Sequence, residues 1–249
     1  MGEVILLVEQ LGKSYGKQIA LSDISLGIRT GEILGIAGEN GAGKSTLLSL
    51  LATAEKPSQG TISFHGENIQ SRKRQYREKI GYVPQEIALF EELSGLENLQ
   101  FFGKAYQLKK AELEERVCAA CEITEFPTEA LKRPLKTYSG GMKRKINIGA
   151  ALLHHPEILF LDEPVANLDL EAEEQVLGAL RQLARQGMAI VYAGHQMEQM
   201  EQLCASVCFL KKGRQVCYGT MKELLYQGGE TVTLKQVWKE TAGKVSNKE

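Results

Sequence analysis

Apolar positions come in brief runs at the start of the chain and in longer, helically spaced sets further on. Val4 to Val8, Ile19 to Leu21 and Ile24 to Ile28 are short and separated by turn residues, which predicts strands of an antiparallel sheet. Glu32 to Ala37 is short and mostly apolar, as in a buried strand, and Ser45 to Leu51 follows with the spacing of a helix that has one apolar face. Thr61 to Phe64 with Gly66-Glu67 predicts another strand and turn, and Ile80 to Val83 a strand stopped by Pro84. From about Ser94 to Tyr138 the spacing turns helical, over Leu96 to Tyr106 and Ala111 to Ile123, before an irregular stretch with Pro127 and Pro134. This predicts a helical insertion, about residues 86–140, between two halves of an α/β core.

The core pattern resumes with a helix from Gly141 to His154. Ile158-Leu159-Phe160-Leu161 then reads as a buried parallel strand ending in Asp162-Glu163-Pro164, and it is expected beside the Glu32–Ala37 strand. A helix over Leu170 to Arg185 and a strand over Met188 to Ala193 lead to Gly194-His195. Val207 to Leu210 and Gln215 to Tyr218 flank Lys211-Lys212-Gly213-Arg214 like a hairpin. Helices are expected over Met221 to Tyr226 and Thr233 to Thr241, with a polar, frayed tail from Gly243. The division that follows is one domain over residues 1–228 and a short C-terminal helix and tail over residues 229–249.

Composition changes this picture little. The 249 residues carry 30 basic and 31 acidic side chains, so no global field recruits nucleic acid. The first four residues lack the basic and long apolar regions of a signal peptide, and no apolar run approaches the roughly 20 residues of a membrane span. A soluble, cytoplasmic protein is expected. The 5 cysteines are scattered, and the Cys118–Cys121 pair has no second pair to complete a zinc site, so they read as small hydrophobes. The basic run from Ser71 to Lys79 reads as a solvated face or loop, with contact to lipid headgroups as the lesser alternative.

The chemistry sits at strand tips. Gly38-Glu39-Asn40-Gly41-Ala42-Gly43-Lys44-Ser45-Thr46 fits the phosphate-binding loop G-x-x-x-x-G-K-[ST], between a predicted strand and a predicted helix. Its glycines let backbone N–H groups converge on an anion, and the helix N-terminus adds partial positive charge. Lys44 is expected to reach the β- and γ-phosphates and the Ser45 hydroxyl to ligate Mg²⁺. Asp162, at an acidic strand tip, is expected to hold Mg²⁺, and Glu163 to orient and polarise the attacking water. Gln85 is a neutral oxygen that completes the Mg²⁺ set or touches the water, and His195 a donor to the transferring group, although a lone histidine is more often structural. Tyr15 lies in a turn, where its ring is either a surface aromatic or a platform for adenine. Ser139-Gly140-Gly141 is either a plain helix start or a second anion cradle. A single phosphate loop gives one chain no use for a second cradle, whereas two chains head to tail would use both.

Taken together, these residues resemble the ATP-binding subunit of an ABC transporter, over nearly the whole chain and in the family's order. Tyr15 matches the adenine-stacking aromatic and Gly38 to Ser45 the Walker A loop. Gln85 matches the Q-loop glutamine, Ser139-Gly140-Gly141 the signature motif, Asp162 and Glu163 the Walker B aspartate and catalytic glutamate. Asn167-Leu168-Asp169 matches the D-loop, which brings Asp169 into the nucleotide site, and His195 the switch histidine. Tyr138 and Met142 stand where Leu and Gln are usual, Val165-Ala166 precedes the D-loop, and Ala193-Gly194 precedes the histidine in place of Ser-Thr.

The resemblance implies a phosphate-loop NTPase fold: a RecA-like core, an N-terminal antiparallel β-subdomain and an inserted helical subdomain. It also implies a head-to-tail dimer with a second ATPase subunit around two ATP and Mg²⁺. Hydrolysis would drive transport, export on the look of the signature helix and the C-terminal stretch, through separate transmembrane permease subunits at the cytoplasmic face of the membrane. A soluble ABC ATPase acting on ribosomes or DNA, and a regulatory subunit without productive hydrolysis, are the alternatives.

Overall fold

Alternation of buried and exposed residues organises the N-terminal strands, but into longer strands than the pattern predicts. The computed structural model describes residues 2–227 and 230–246. In it β1 (Val4–Tyr15) and β2 (Gln18–Arg29) pair antiparallel along their lengths. The expected separate runs Ile19 to Leu21 and Ile24 to Ile28 are one strand, because Asp23 sits at φ 55° as an extra residue between the Lys13–Leu21 and Leu11–Ile24 pairs. A bulge thus carries the sequence signature of a turn. β3 (Ile33–Ala37) follows, buried throughout, and leads into α1 (Lys44–Leu51). β4 (Gln59–Phe64) returns antiparallel to β1, with the short β5 (Glu67–Asn68) at the edge.

The basic run forms α2 (Lys73–Arg77), a short helix the sequence pattern hides, with Tyr76 buried and Arg77 donating to Thr53. β6 (Ile80–Val83) precedes the expected helical stretch, built of α3 (Gly95–Ala105), α4 (Lys110–Ile123) and two 3₁₀ turns. Ser94 and Glu97 form a reciprocal cap at the start of α3. Leu99, Leu113, Val117, Phe126 and Ile146 close a small apolar cluster of their own there. α5 (Gly140–Leu152), β7 (Ile158–Asp162), α6 (Leu170–Arg185) and β8 (Ala189–Gly194) then continue the core. α7 (Met197–Leu203) follows His195, a helix whose seven residues are too few to show a period in the sequence. β9 (Ser206–Lys211) and β10 (Arg214–Thr220) form the expected hairpin. Beyond them lie α8 (Met221–Leu225), the β11 (Tyr226–Gln227) and β12 (Glu230–Thr231) pair, and α9 (Leu234–Ser246). α9 runs past Gly243, where a frayed tail is expected; the end of that tail, residues 247–249, and the boundary at 228/229 lie outside the described residues.

Among the described residues, ten strands share one sheet in the order β5-β4-β1-β2-β10-β9-β3-β8-β7-β6. From β9 to β6 neighbouring strands are parallel. Along β3 and β7, residues face alternately into two apolar layers: Leu34, Ile36, Ile158 and Phe160 meet α1 and the antiparallel strands, whereas Ile33, Leu159 and Leu161 meet α6, α7 and α9. Covering both faces is what makes these strands read as unbroken apolar runs. One expectation is corrected by the strand order. β7 does not lie beside β3; β8 stands between them. Crossovers between parallel strands are long, so sequence order carries no neighbour information here.

Candidate functional site

The loop between β3 and α1 is shaped by Gly43, which holds φ 105° at the N-cap of α1; a Cβ there would lie 2.6 Å from Leu21 Cδ2. No side chain among the described residues caps the first turn of α1, which leaves its N–H groups for an anion. Lys44 is buried, and its Nζ donates to the main-chain oxygens of Gly38 (3.0 Å) and Glu39 (3.2 Å). Ala42 is buried beneath the loop, and its carbonyl accepts from Gly213 N–H in the β9–β10 turn. Asn40, Gly41, Gly43, Lys44, Ser45 and Thr46 line a cavity of about 710 Å³ together with Tyr15, Gln18, Ile19, Gln85, Glu163 and Lys212. That volume suits a drug- or nucleotide-sized ligand.

The acidic tip of β7 faces the same place. Asp162 is 3% exposed, and its Oδ1 has no hydrogen-bond partner among the described residues. Burial pushes its carboxyl up from the usual carboxylate range, against the pull of a Ser45 hydrogen bond and the Lys44 and Arg144 cations. An unpartnered buried carboxylate oxygen next to the Ser45 hydroxyl is an oxygen pair of the kind a hard divalent cation takes. Glu163 turns the chain with φ 46°, a conformation that costs a non-glycine residue free energy, and Asn167 repeats it at φ 62°. The turn is held by Glu163 N–H donating to Ala193 O (3.0 Å) on β8. It aims the Glu163 carboxylate at three partners: Lys44 Nζ at 3.5 Å and His195 Nδ1 at 3.4 Å on Oε1, and Gln85 Nε2 at 3.5 Å on Oε2. Three residues from three separate strand tips and loops therefore meet on one carboxylate.

Ser139, Gly140, Gly141 and Asp169 are not among the residues that line this cavity. Ser139 Oγ caps α5 by accepting from Met142 N–H (3.2 Å), and Asp169 Oδ1 caps α6 by accepting from Ala172 N–H (2.8 Å). The two helix starts pack tightly, since a Cβ on Gly141 would come within 2.7 Å of Ala172 Cβ. The signature-like turn and the D-loop-like turn thus form one surface apart from the phosphate loop.

Arg144 was missed by reading the sequence. It is 4% exposed on α5, and its guanidinium donates to the main-chain oxygens of Pro84 (2.9 Å) and Gln85 (2.8 Å). Burial lowers its affinity for its proton, and the Asp162 carboxylate opposes that. A lone arginine in a Lys-Arg-Lys run reads as solvated; only the fold shows that it holds the loop bearing Gln85 to the helix bearing Ser139.

Residues 21–166 match the family model described as ABC transporter. The linearmycin resistance ATP-binding protein LnrL of Bacillus subtilis is 40% identical over 231 residues, 92% of this chain and 73% of that protein. The Nod factor export ATP-binding protein I of Ralstonia nicotianae is 35% identical, over 89% of this chain and 68% of that one. A solved ATP-binding subunit of an ABC transporter superposes with a TM-score of 0.86 at 30% identity, covering 96% of this chain and 99% of its own.

Proposed function

This chain belongs to the ABC transporter family as an ATP-binding, ATP-hydrolysing subunit, and from that premise we propose that it powers export through separate transmembrane subunits. The direction rests on the resistance and export ATP-binding proteins it resembles. No helix among the described residues is long and apolar enough to cross a membrane, so the translocation path would belong to partners. In this reading the chain pairs head to tail with a second ATPase subunit, each ATP lying between one phosphate loop and the partner's Ser139–Gly141 turn.

The observation that carries the reading is the convergence of Lys44, Gln85 and His195 on Glu163, beside the unpartnered Asp162 Oδ1. With ATP in the cavity, the phosphate loop and α1 hold the triphosphate, and Tyr15 receives the adenine ring. Glu163 accepts a proton from a water aligned with the γ-phosphorus; the water oxygen bonds to phosphorus as the bond to the ADP oxygen breaks. His195 orients Glu163 and donates to the γ-phosphate, and Lys44 offsets the charge that develops on it. Ser45, Asp162 and Gln85 are the residues that would hold Mg²⁺, which when bound neutralises charge on the β- and γ-phosphates.

Glu163→Gln tests the reading. Hydrolysis is expected to fall by at least about a hundredfold, and the variant to accumulate as an ATP-bound dimer in light scattering. A variant that stays monomeric at saturating ATP and Mg²⁺ would remove the head-to-tail mechanism.

A further inference from the structure

The Tyr15 ring is held from behind by groups that do not touch the nucleotide cavity. Its phenol donates to the Glu55 carboxylate, with both oxygens at 2.6 Å. Lys13, two residues earlier on β1, pairs with Glu55 Oε2 at 2.8 Å, and its Nζ stands 4.8 Å from the centroid of the Tyr15 ring. The same ammonium donates to Lys56 O at 2.9 Å. Neither Lys13 nor Glu55 lines the cavity, whereas Tyr15 does. One face of the ring is therefore taken by a cation, and the ring still presents itself to the cavity.

The carboxylate that holds the phenol comes from the far end of the phosphate-loop helix. α1 ends at Leu51, the chain turns back through Thr53 at φ 57°, and Glu55 N–H donates to Ser49 O at 3.1 Å. Glu55 is thereby packed against the helix whose first residues are Lys44 and Ser45. The phosphate end of the cavity and its aromatic end are two ends of one framework. The protonation states are consistent with a standing contact: the hydrogen bond to Glu55 raises the Tyr15 phenol, and Lys13 followed by Tyr15 lowers the Glu55 carboxyl.

We propose that Lys13 and Glu55 are positioning residues that fix the Tyr15 ring in advance as a stacking platform for the base of the nucleotide, with the purine on the ring face that Lys13 leaves free. A ring held before binding spares the ligand the entropy of ordering it, so the clamp acts on affinity for the base and not on the chemical step. The inference rests on the reading of Tyr15 as the base platform.

Calorimetric titration of the full-length chain with ATP and, separately, with inorganic tripolyphosphate tests it. Glu55→Ala and Tyr15→Phe are each expected to weaken ATP about threefold to tenfold while leaving tripolyphosphate unchanged. The double variant should be no worse than either single, because both remove the same contact. Lys13→Met should move ATP affinity in the same direction, and Glu55→Gln, which keeps an acceptor, should restore part of the loss. If Glu55→Ala weakens both ligands equally, or neither, the clamp is wrong. Tyr15→Ala separates the two levels. If it too leaves ATP affinity unchanged, the platform reading itself fails; if it weakens ATP while Glu55→Ala does not, only the clamp falls.

Discussion

Lys44 Nζ stands 3.5 Å from Glu163 Oε1, so the phosphate-loop cation and the carboxylate that would activate water are each other's partner before nucleotide arrives. Both are shielded, with side chains 5% and 12% exposed, so the attraction is screened little. A triphosphate entering the cavity has to draw Lys44 away from Glu163 and from the Gly38 and Glu39 carbonyls. Neutralising the carboxylate should relieve that competition. Glu163→Gln is expected to tighten ATP about fivefold in the absence of divalent metal, about 1 kcal/mol. Titration in chelator measures this without dimer formation, and an unchanged or weaker affinity would show that the pair does not oppose binding.

Arg144 makes the loop of Gln85 and the helix of Ser139 one mechanical unit. Arg144→Gln removes a buried cation and leaves two main-chain oxygens short of donors. The expected cost is about 2–3 kcal/mol in urea unfolding, the range for hydrogen bonds to charged groups. Turnover should fall about tenfold or more while ATP affinity changes little, since Arg144 does not line the cavity. Arg144→Lys, which keeps charge but not the fork, should recover stability more than turnover. Equal loss in ATP affinity and turnover would assign Arg144 a purely structural role.

What reading the chain reveals differs between the core and the site. The apolar runs of β3, β7 and β8 are legible because both faces are covered, and the alternation in β1 because one face is wet. β2 is read as two pieces because a bulge at Asp23 looks like a turn. The motif residues are legible one by one, since each needs a residue type that strand tips seldom carry. Their arrangement is not. That β8 lies between β3 and β7, and that Glu163 is the residue on which Lys44, Gln85 and His195 meet, depends on crossovers longer than any local pattern. Arg144, Lys13 and Glu55 are invisible for the same reason: a charged side chain becomes informative only when its partner, far away in the chain, is known.

Close approach of α5 to α6 makes a steric prediction. Gly141→Ala puts a methyl 2.7 Å from Ala172 Cβ, below any ordinary contact, between two backbones that carry the Ser139 and Asp169 caps. The helices must part by several tenths of an ångström, at a cost of about 1–3 kcal/mol. Thermal unfolding should fall by about 2–4 °C for each kcal/mol in a chain of this size. Adding Ala172→Gly removes the opposing methyl and should restore most of the loss. A double variant no more stable than Gly141→Ala would locate the strain elsewhere.

Asp162 shows a site group that works against the fold. Its carboxyl is buried, one oxygen is unpartnered, and burial raises its pKa above that of an exposed carboxylate. The folded chain therefore holds this proton over a window in which the unfolded chain has already released it. Stability from this group is complete at pH below the unfolded carboxyl's range, about 4, and is lost as pH rises through the higher folded value. At pH 7 the ionised form is a standing penalty that a bound cation would relieve. Asp162→Asn, close in shape and uncharged, should raise the nucleotide-free melting temperature at pH 7 by about 2–4 °C, about 1 kcal/mol. The gain should shrink as pH is lowered towards the unfolded carboxyl's range, because burial makes the native carboxyl take up its proton first. The same variant should lose the stabilisation that ATP with Mg²⁺ confers over ATP alone. Melting curves of both proteins across this pH range, with and without Mg²⁺, read every part of this; a variant less stable at pH 7 than the parent would mean that Ser45, Lys44 and Arg144 already compensate the charge in full.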